Sequence, residues 1–230
     1  KLLQLSNCQK MYNLTVKLLS KNYNISRTYK NMNILDESVI IKNPFKNNIE
    51  TTINFDIQKA ALTALHEQIK KMRDQNMNDG AVLVIDNKTN EVLAYVPNSG
   101  DGFSTSPRVD NIRSYRQAGS TLKPFIYARA FDTNLLSPSS LIEDSELDVP
   151  IGNGSIYFPK NYDNKFHGAV EAQVALGSSL NVPAVKTLML VKGENVITFL
   201  KNLGFKNLKD ASFYGPSLAL GSVDITLWDL

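Results

Sequence analysis

Apolar residues recur along this chain in several rhythms, and the rhythms predict its elements. From residue 57 to about 73 they return every three to four positions, with Ala60, Ala61, Ala64, Leu65 and Ile69 on one face of an amphipathic helix. Asp56 stands where that helix would be capped, and "TTINF" just before it reads as strand. "GAVLVID" at 80–86 predicts a buried strand and "EVLAYV" at 91–96 a second, with turn-forming residues 87–90 making the pair a hairpin. Residues 97–118 are a polar loop carrying Pro97, Gly100, Gly102 and Pro107. A helix is predicted from Ser120 to about Asp132, then mostly irregular chain to Gly168, the kind of long loop that often lines a binding site. Helical spacing resumes at about 170–180, 182–192 and 194–203, broken at 181–183 and at Gly193. Residues 1–50 are Asn-, Lys-, Ser- and Tyr-rich, with a short helix near 11–19 and otherwise the character of a linker. The chain begins with Lys and its last six residues, 225–230, read as a helix just starting, so it reads as a piece of a longer protein.

Composition narrows the function classes. At 230 residues, 43% hydrophobic and 20% charged, the chain can bury a core of ordinary size. A net charge of +3 with scattered Lys and Arg argues against nucleic acid as a partner. One cysteine, Cys8, rules out an internal disulfide framework, and two distant histidines, His66 and His167, are too few for a zinc site; no metal and no cofactor is expected. No apolar run is long enough to span a bilayer and no signal-peptide pattern is present.

The chemistry concentrates in "RQAGSTLKPF", 116–125. A serine hydroxyl is a weak nucleophile until a base takes its proton. On a helix, residues i and i+3 share a face, so Ser120 and Lys123 present hydroxyl and amine to one point. Gly119 permits a sharp turn into the helix, and the helix N-terminus offers free N–H groups to a developing oxyanion. Lysine is a poor base at its free pKa of about 10.4, so burial or a second cation has to lower it. An S-x-x-K string also arises about once by chance in a chain of this length. A second element, "ALGSSLNVPAV" at 175–185, places Ser179 and Asn181 between two helices. They can face a cleft, Ser179 passing protons and Asn181 holding Lys123 and a substrate amide. They can equally be helix caps. His167 reads as a loop hydrogen-bonding residue without an acidic partner, and Glu143, Asp144, Glu146 and Asp148 read as a solvated acidic loop. Tyr214 and Trp228 read as core or edge residues.

Serine and lysine in S-x-x-K, followed by a serine–asparagine motif, form the signature of penicillin-binding proteins and serine β-lactamases. The wider wording goes further. "RQAGSTLKPFIYARAFD", "NYDNKFHGAVEAQVALGSSLNVPAV" and "YGPSLALGSVDIT" resemble the transpeptidase domain of bifunctional class A penicillin-binding proteins, most like the 1C type. "TTINFDIQKAALTAL" and "GAVLVIDNKTNEVLAYV" look like the opening helix and hairpin of that domain. The resemblance covers roughly 50–230 and implies a mixed α/β fold with a central antiparallel sheet flanked by helices, its C-terminal part missing. Residues 1–50 would be a linker or the tail of a glycosyltransferase domain. By position, the resemblance implies Ser120 as acylated nucleophile, Lys123 as general base, Ser179 as proton relay and Asn181 as contact to the substrate amide. Gly119, Ser179 and Asn181 would line the substrate. The implied partners are peptidoglycan stem peptides ending in D-Ala-D-Ala, amine acceptors, and β-lactams as covalent inhibitors. The implied place is the periplasmic face of the inner membrane, held by an anchor absent from these residues.

The chain departs from the family in three respects. Ala118 stands where relatives often have Pro, the glycosyltransferase domain and anchor are missing, and no K-T-G or K-S-G string occurs. In the family that third motif lies on a strand beyond Gly221, supplying a cation, a hydroxyl for the substrate carboxylate and half an oxyanion hole. Two other readings therefore stand beside the transpeptidase. One is a carboxypeptidase or β-lactamase using the same nucleophile, and the other an inactive piece of a split or decayed gene.

Overall fold

The computed structural model describes residues 51–151 and 154–230; the expectations for residues 1–50 and Cys8 lie outside the described residues. The described chain divides into two units, one reaching Ser114 and taking in 226–228, the other running from Tyr115 to Ile225.

In the first unit, helix α1 (Phe55–Met72) is capped by Asn54, whose carboxamide oxygen accepts from the Asp56 and Ile57 N–H groups at 3.0 and 3.1 Å. Asp56 is therefore not the cap but an acid in the first turn, where the helix dipole favours it. The buried face is Gln58, Ala61, Leu62, Leu65 and Ile69, while Ala60 and Ala64 point to solvent. Strands β1 (Val82–Ile85) and β2 (Val92–Val96) form the expected antiparallel hairpin, Val82 opposite Val96. Its turn is held by Asp86, which accepts from the Lys88 and Thr89 N–H groups, and by Asn90 at φ +57°. β2 is mostly buried against α1 through Ala94 and Val96. β1 is only half-buried, contrary to its apolar wording, because among the described residues it pairs with β2 alone.

"TTINF" forms no strand. It reaches β2 through Asn54 N–H to the Leu93 carbonyl and Thr52 Oγ1 to the Val92 carbonyl, and goes no further. The reason lies one turn on. The buried Gln58 side chain bonds both backbone groups of Tyr95, its Nε2 donating to the carbonyl at 3.0 Å and its Oε1 accepting from the N–H at 2.7 Å. A helix side chain thus occupies the edge that another strand would need.

The second unit begins with β3 (Arg116–Gln117) and a 3-10 turn (Gly119–Leu122), which runs into α2 (Lys123–Asp132). Short strands follow: β4 (Leu141–Asp144), β5 (Val149–Pro150), β6 (Ile156–Tyr157) and β7 (Gly168–Glu171). Helices α3 (Ala172–Gly177), α4 (Asn181–Val191), α5 (Gly193–Asn202) and α6 (Ala211–Tyr214) precede a second 3-10 turn (Gly215–Leu220) and β8 (Asp224–Ile225). The mixed α/β class is as expected, but the described strands pair in twos, β3 with β8, β4 with β7 and β5 with β6, all antiparallel. Two local expectations fail. The helix predicted from about 170 begins at Ala172, because Gly168 at φ +69° opens a strand in which Ala169 and Val170 pair with Glu143 and Ile142. Ile225 is likewise a strand residue opposite Arg116, not the start of a helix.

The core of this unit joins Ile126, Tyr127 and Ala130 of α2 to Ala184, Val185 and Leu188 of α4 and to Val196, Ile197 and Leu200 of α5. Each of its Val, Leu and Ile side chains contributes about 1.5–3 kcal/mol when fully buried. α4 is buried on nearly every side of its first two turns, so its position is set by packing rather than by an amphipathic stripe.

Candidate active site

Ser120 sits inside the 3-10 turn, not at the first residue of a regular helix. In 3-10 geometry side chains at i and i+3 eclipse, which aligns Ser120 with Lys123, the first residue of α2. The turn is held from behind. The Ala118 N–H donates to the Val223 carbonyl at 2.9 Å and the Gly119 N–H to the Gly221 carbonyl at 3.0 Å, extending the β3–β8 pair up to the serine. Gly119 has φ +57° and Gly221 φ +75°. A Cβ on Gly221 would fall inside the van der Waals envelope of the Gly119 carbonyl oxygen, so the close approach itself demands glycine at 221.

Lys123 is 1% exposed. Its ammonium donates to the Ser179 carbonyl at 2.6 Å, the Ser179 hydroxyl at 3.1 Å and Asn181 Oδ1 at 2.7 Å. These hydrogen bonds go to Ser179 and Asn181 rather than to Ser120, whose side chain is exposed. All three acceptors are uncharged, and burial pushes the Lys123 amine down to about 8. Of the two means of lowering the lysine that the sequence left open, burial is the one the described residues supply.

Ser179 reaches Lys123 through a backbone conformation that L-residues rarely adopt, φ +53°, just after α3. This conformation aims both its carbonyl and its hydroxyl at the amine. Asn181 is the first residue of α4 yet does not cap it. Its Nδ2 donates to the Lys160 carbonyl at 2.8 Å, which turns Oδ1 towards Lys123. The capping alternative for Asn181 is thereby removed. Lys123, Ser179 and Asn181 thus meet at the amine, and Gly119 and Ser120 lie in the turn that leads into Lys123.

Other residues at this site were not assigned from the sequence. Asn161 Oδ1 accepts from the Asn181 and Val182 N–H groups at 2.8 and 3.3 Å, so the start of α4 is capped from twenty residues upstream. Asn161 Nδ2 donates to Asp144 and to the Lys165 carbonyl. Asp144 is fully buried, contrary to the solvated loop expected of it, whereas Glu143, Glu146 and Asp148 are exposed. His167 does make loop hydrogen bonds, but with acidic partners: its N–H and Nδ1 lie 3.0 and 2.8 Å from Asp144 Oδ2, and its Nε2 lies 3.4 Å from Asp163. One signal could have pointed to Asn161. α4 starts behind Leu180, which has no capping side chain, and a Pro stands in its first turn, so its free N–H groups need a partner from elsewhere. No group of His, Cys, Asp and Glu able to hold a metal occurs among the described residues.

The penicillin-binding protein transpeptidase domain model matches residues 80–216. Penicillin-binding protein 1A of Aquifex aeolicus is 36% identical over 148 residues, covering 64% of this chain and 20% of that protein. Penicillin-binding protein 1C of Escherichia coli is 35% identical over 152 residues, covering 65% of this chain and 19% of that protein. The chain thus spans about a fifth of the length of these relatives. Among solved structures, penicillin-binding protein 1A of Haemophilus influenzae superposes with a TM-score of 0.58 at 28% identity, over 66% of this chain and 22% of that one. PonA1 of Mycobacterium tuberculosis, in complex with penicillin V, superposes with a TM-score of 0.66 over 97% of this chain and 56% of that one; at 18% identity it speaks for the fold alone. With the family model spanning more than half of its residues, this chain belongs to the transpeptidase family of the penicillin-binding proteins.

Proposed function

We propose that the chain carries the acylation centre of a peptidoglycan D,D-transpeptidase. The observation that carries this reading is a lysine amine, 1% exposed and held by three neutral oxygens, one 3-10 turn from an exposed serine. In its neutral form Lys123 takes the proton of the Ser120 hydroxyl, and Ser120 Oγ attacks the carbonyl of a D-Ala-D-Ala bond. Ser179, hydrogen-bonded to the same amine, returns a proton to the leaving D-Ala nitrogen, and Asn181 steadies both Lys123 and the stem-peptide amide. The acyl group then passes from Ser120 to an amine of a neighbouring stem, forming the cross-link. A β-lactam acylates the same serine. The substrate, the extracytoplasmic site of action and a membrane anchor follow the family; no described helix is long and apolar enough to cross a membrane.

A second reading, a site incomplete on its own, is favoured by one observation: no K-T-G string occurs in the 230 residues. Incubation with a fluorescent penicillin separates the two, with intact mass and peptide mapping to locate the adduct. Label on Ser120, lost in Ser120→Ala, is the expected result. A folded chain that takes no label overturns it in favour of the incomplete site.

A further inference from the structure

The geometry points to Asp144 and Asn161 as the positioning pair of this site, a buried carboxylate and carboxamide that orient Asn181 and, through it, Lys123. The inference rests on the acylation centre proposed above.

Asn161 is 3% exposed and both ends of its carboxamide are committed. Two backbone N–H groups at the start of α4 require an acceptor at Oδ1, while a carboxylate and a carbonyl require a donor at Nδ2. The reversed orientation would set N–H against N–H and oxygen against oxygen, so one orientation remains. Asn181 is fixed the same way. Its backbone N–H goes to Asn161 and its Nδ2 to the carbonyl of the adjacent Lys160, leaving Oδ1 only Lys123 to face. The 160–161 segment thus holds the first residue of α4 at both its main chain and its side chain. Behind it Asp144 anchors Asn161 with both oxygens, at 2.9 and 2.8 Å, and is tied to His167.

A cap that only stabilised α4 would have no need to aim Asn181. Here the cap comes from the Asn161 side chain and the aim from the carbonyl of Lys160 beside it, so both depend on how the 160–161 segment is held. Losing the Asn161 side chain releases the 160–161 segment from Asp144 and from the start of α4, so the Lys160 carbonyl no longer fixes the Asn181 side chain and Lys123 loses one of its three acceptors. That disfavours the ammonium and lowers the titration midpoint of the amine.

The test is a titration of the whole chain, its lysine ε-carbons labelled with carbon-13 and Lys123 assigned by its loss in Lys123→Met. His167 faces Asp144 on one side and Asp163 on the other, so readings run above the histidine range, from roughly pH 7.5 to 11. Asn161→Ala should lower the Lys123 midpoint by roughly 0.5–1 pH unit. In an Asn181→Ala background the same substitution should add nothing further. Asp144→Asn keeps the shape, weakens the anchor, and should give a smaller shift in the same direction, which serves if Asn161→Ala does not fold. Val196→Ala, which opens a cavity in α5, controls for stability loss and should leave the midpoint in place. An unmoved midpoint in Asn161→Ala or Asp144→Asn, or an equal shift with and without Asn181, overturns the inference. A wild-type chain that takes no penicillin would sink the proposed function and leave this titration readable.

Discussion

Each unit holds a charged side chain ringed by neutral partners, and the two differ in depth. In the first, Asp79 accepts through Oδ1 from the Gly80 N–H, the Ser99 N–H and the Ser99 hydroxyl, each at 2.8 Å. Its Oδ2 accepts from the Ser104 hydroxyl at 2.6 Å and from Asn111 Nδ2 at 3.2 Å. That carboxylate keeps some solvent contact and staples a polar loop. In the second, Lys123 is 1% exposed and has three acceptors. The same design, one charge with neutral hydrogen-bond partners, makes a structural clamp near water. Away from water it makes an amine that parts with its proton near pH 8.

The largest effect that can break this contrast is on chemistry. Lys123→Met should lower the rate of Ser120 acylation by a fluorescent penicillin by about 10²–10⁴-fold. A smaller loss would mean that another group takes the serine proton. In the wild type, labelling should climb roughly tenfold per pH unit below the Lys123 midpoint and level off above about 8, where the neutral amine predominates.

Stability should carry the same signature. Below about 8 Lys123 holds its proton in both states, and the folded one bears the burial cost. Between about 8 and 10.5 the unfolded chain still binds the proton that the folded chain has released, so stability rises with pH. The full gain is on the order of 3 kcal/mol. Urea unfolding across that window should show the rise, and Lys123→Met should flatten it.

Gly221→Ala should cost roughly 2–4 kcal/mol, since it adds a steric clash with Gly119 to an unfavourable φ. Gly102→Ala, at φ +88° with nothing within 4 Å, should cost only about 1–2 kcal/mol. Equal losses in urea unfolding would deny the close approach behind Ser120. Asp79→Ala should cost roughly 1–3 kcal/mol by leaving loop donors unpaired, with no change in the Lys123 titration. The smallest effect is Tyr127→Phe. Its buried hydroxyl makes no hydrogen bond among the described residues, so its removal should alter thermal stability by less than about 0.5 kcal/mol.

Periodicity alone marks α1, the hairpin, α2 and α5, because each buries a face at a spacing that its own residues record. It misses β4 and β7, four residues each, since Gly168 and an Ala-rich continuation read as helix until Ile142 and Val170 are paired across the ribbon. It also assigns "TTINF" to a strand that Gln58 pre-empts. Short elements take their identity from partners far along the chain.

The candidate site divides the same way. Ser120 and Lys123 are neighbours by local spacing, so the sequence by itself paired them, and the family wording attached Ser179 and Asn181. Tertiary structure alone decided that Lys123 is dry, that Gly221 lies against Gly119, and that Asn161 caps a helix twenty residues away with a buried Asp144 behind it. Those facts depend on which atoms exclude water from which others, and no local pattern of residues specifies that. Covalent spacing brings a hydroxyl and an amine together; folding sets the charge that the amine keeps.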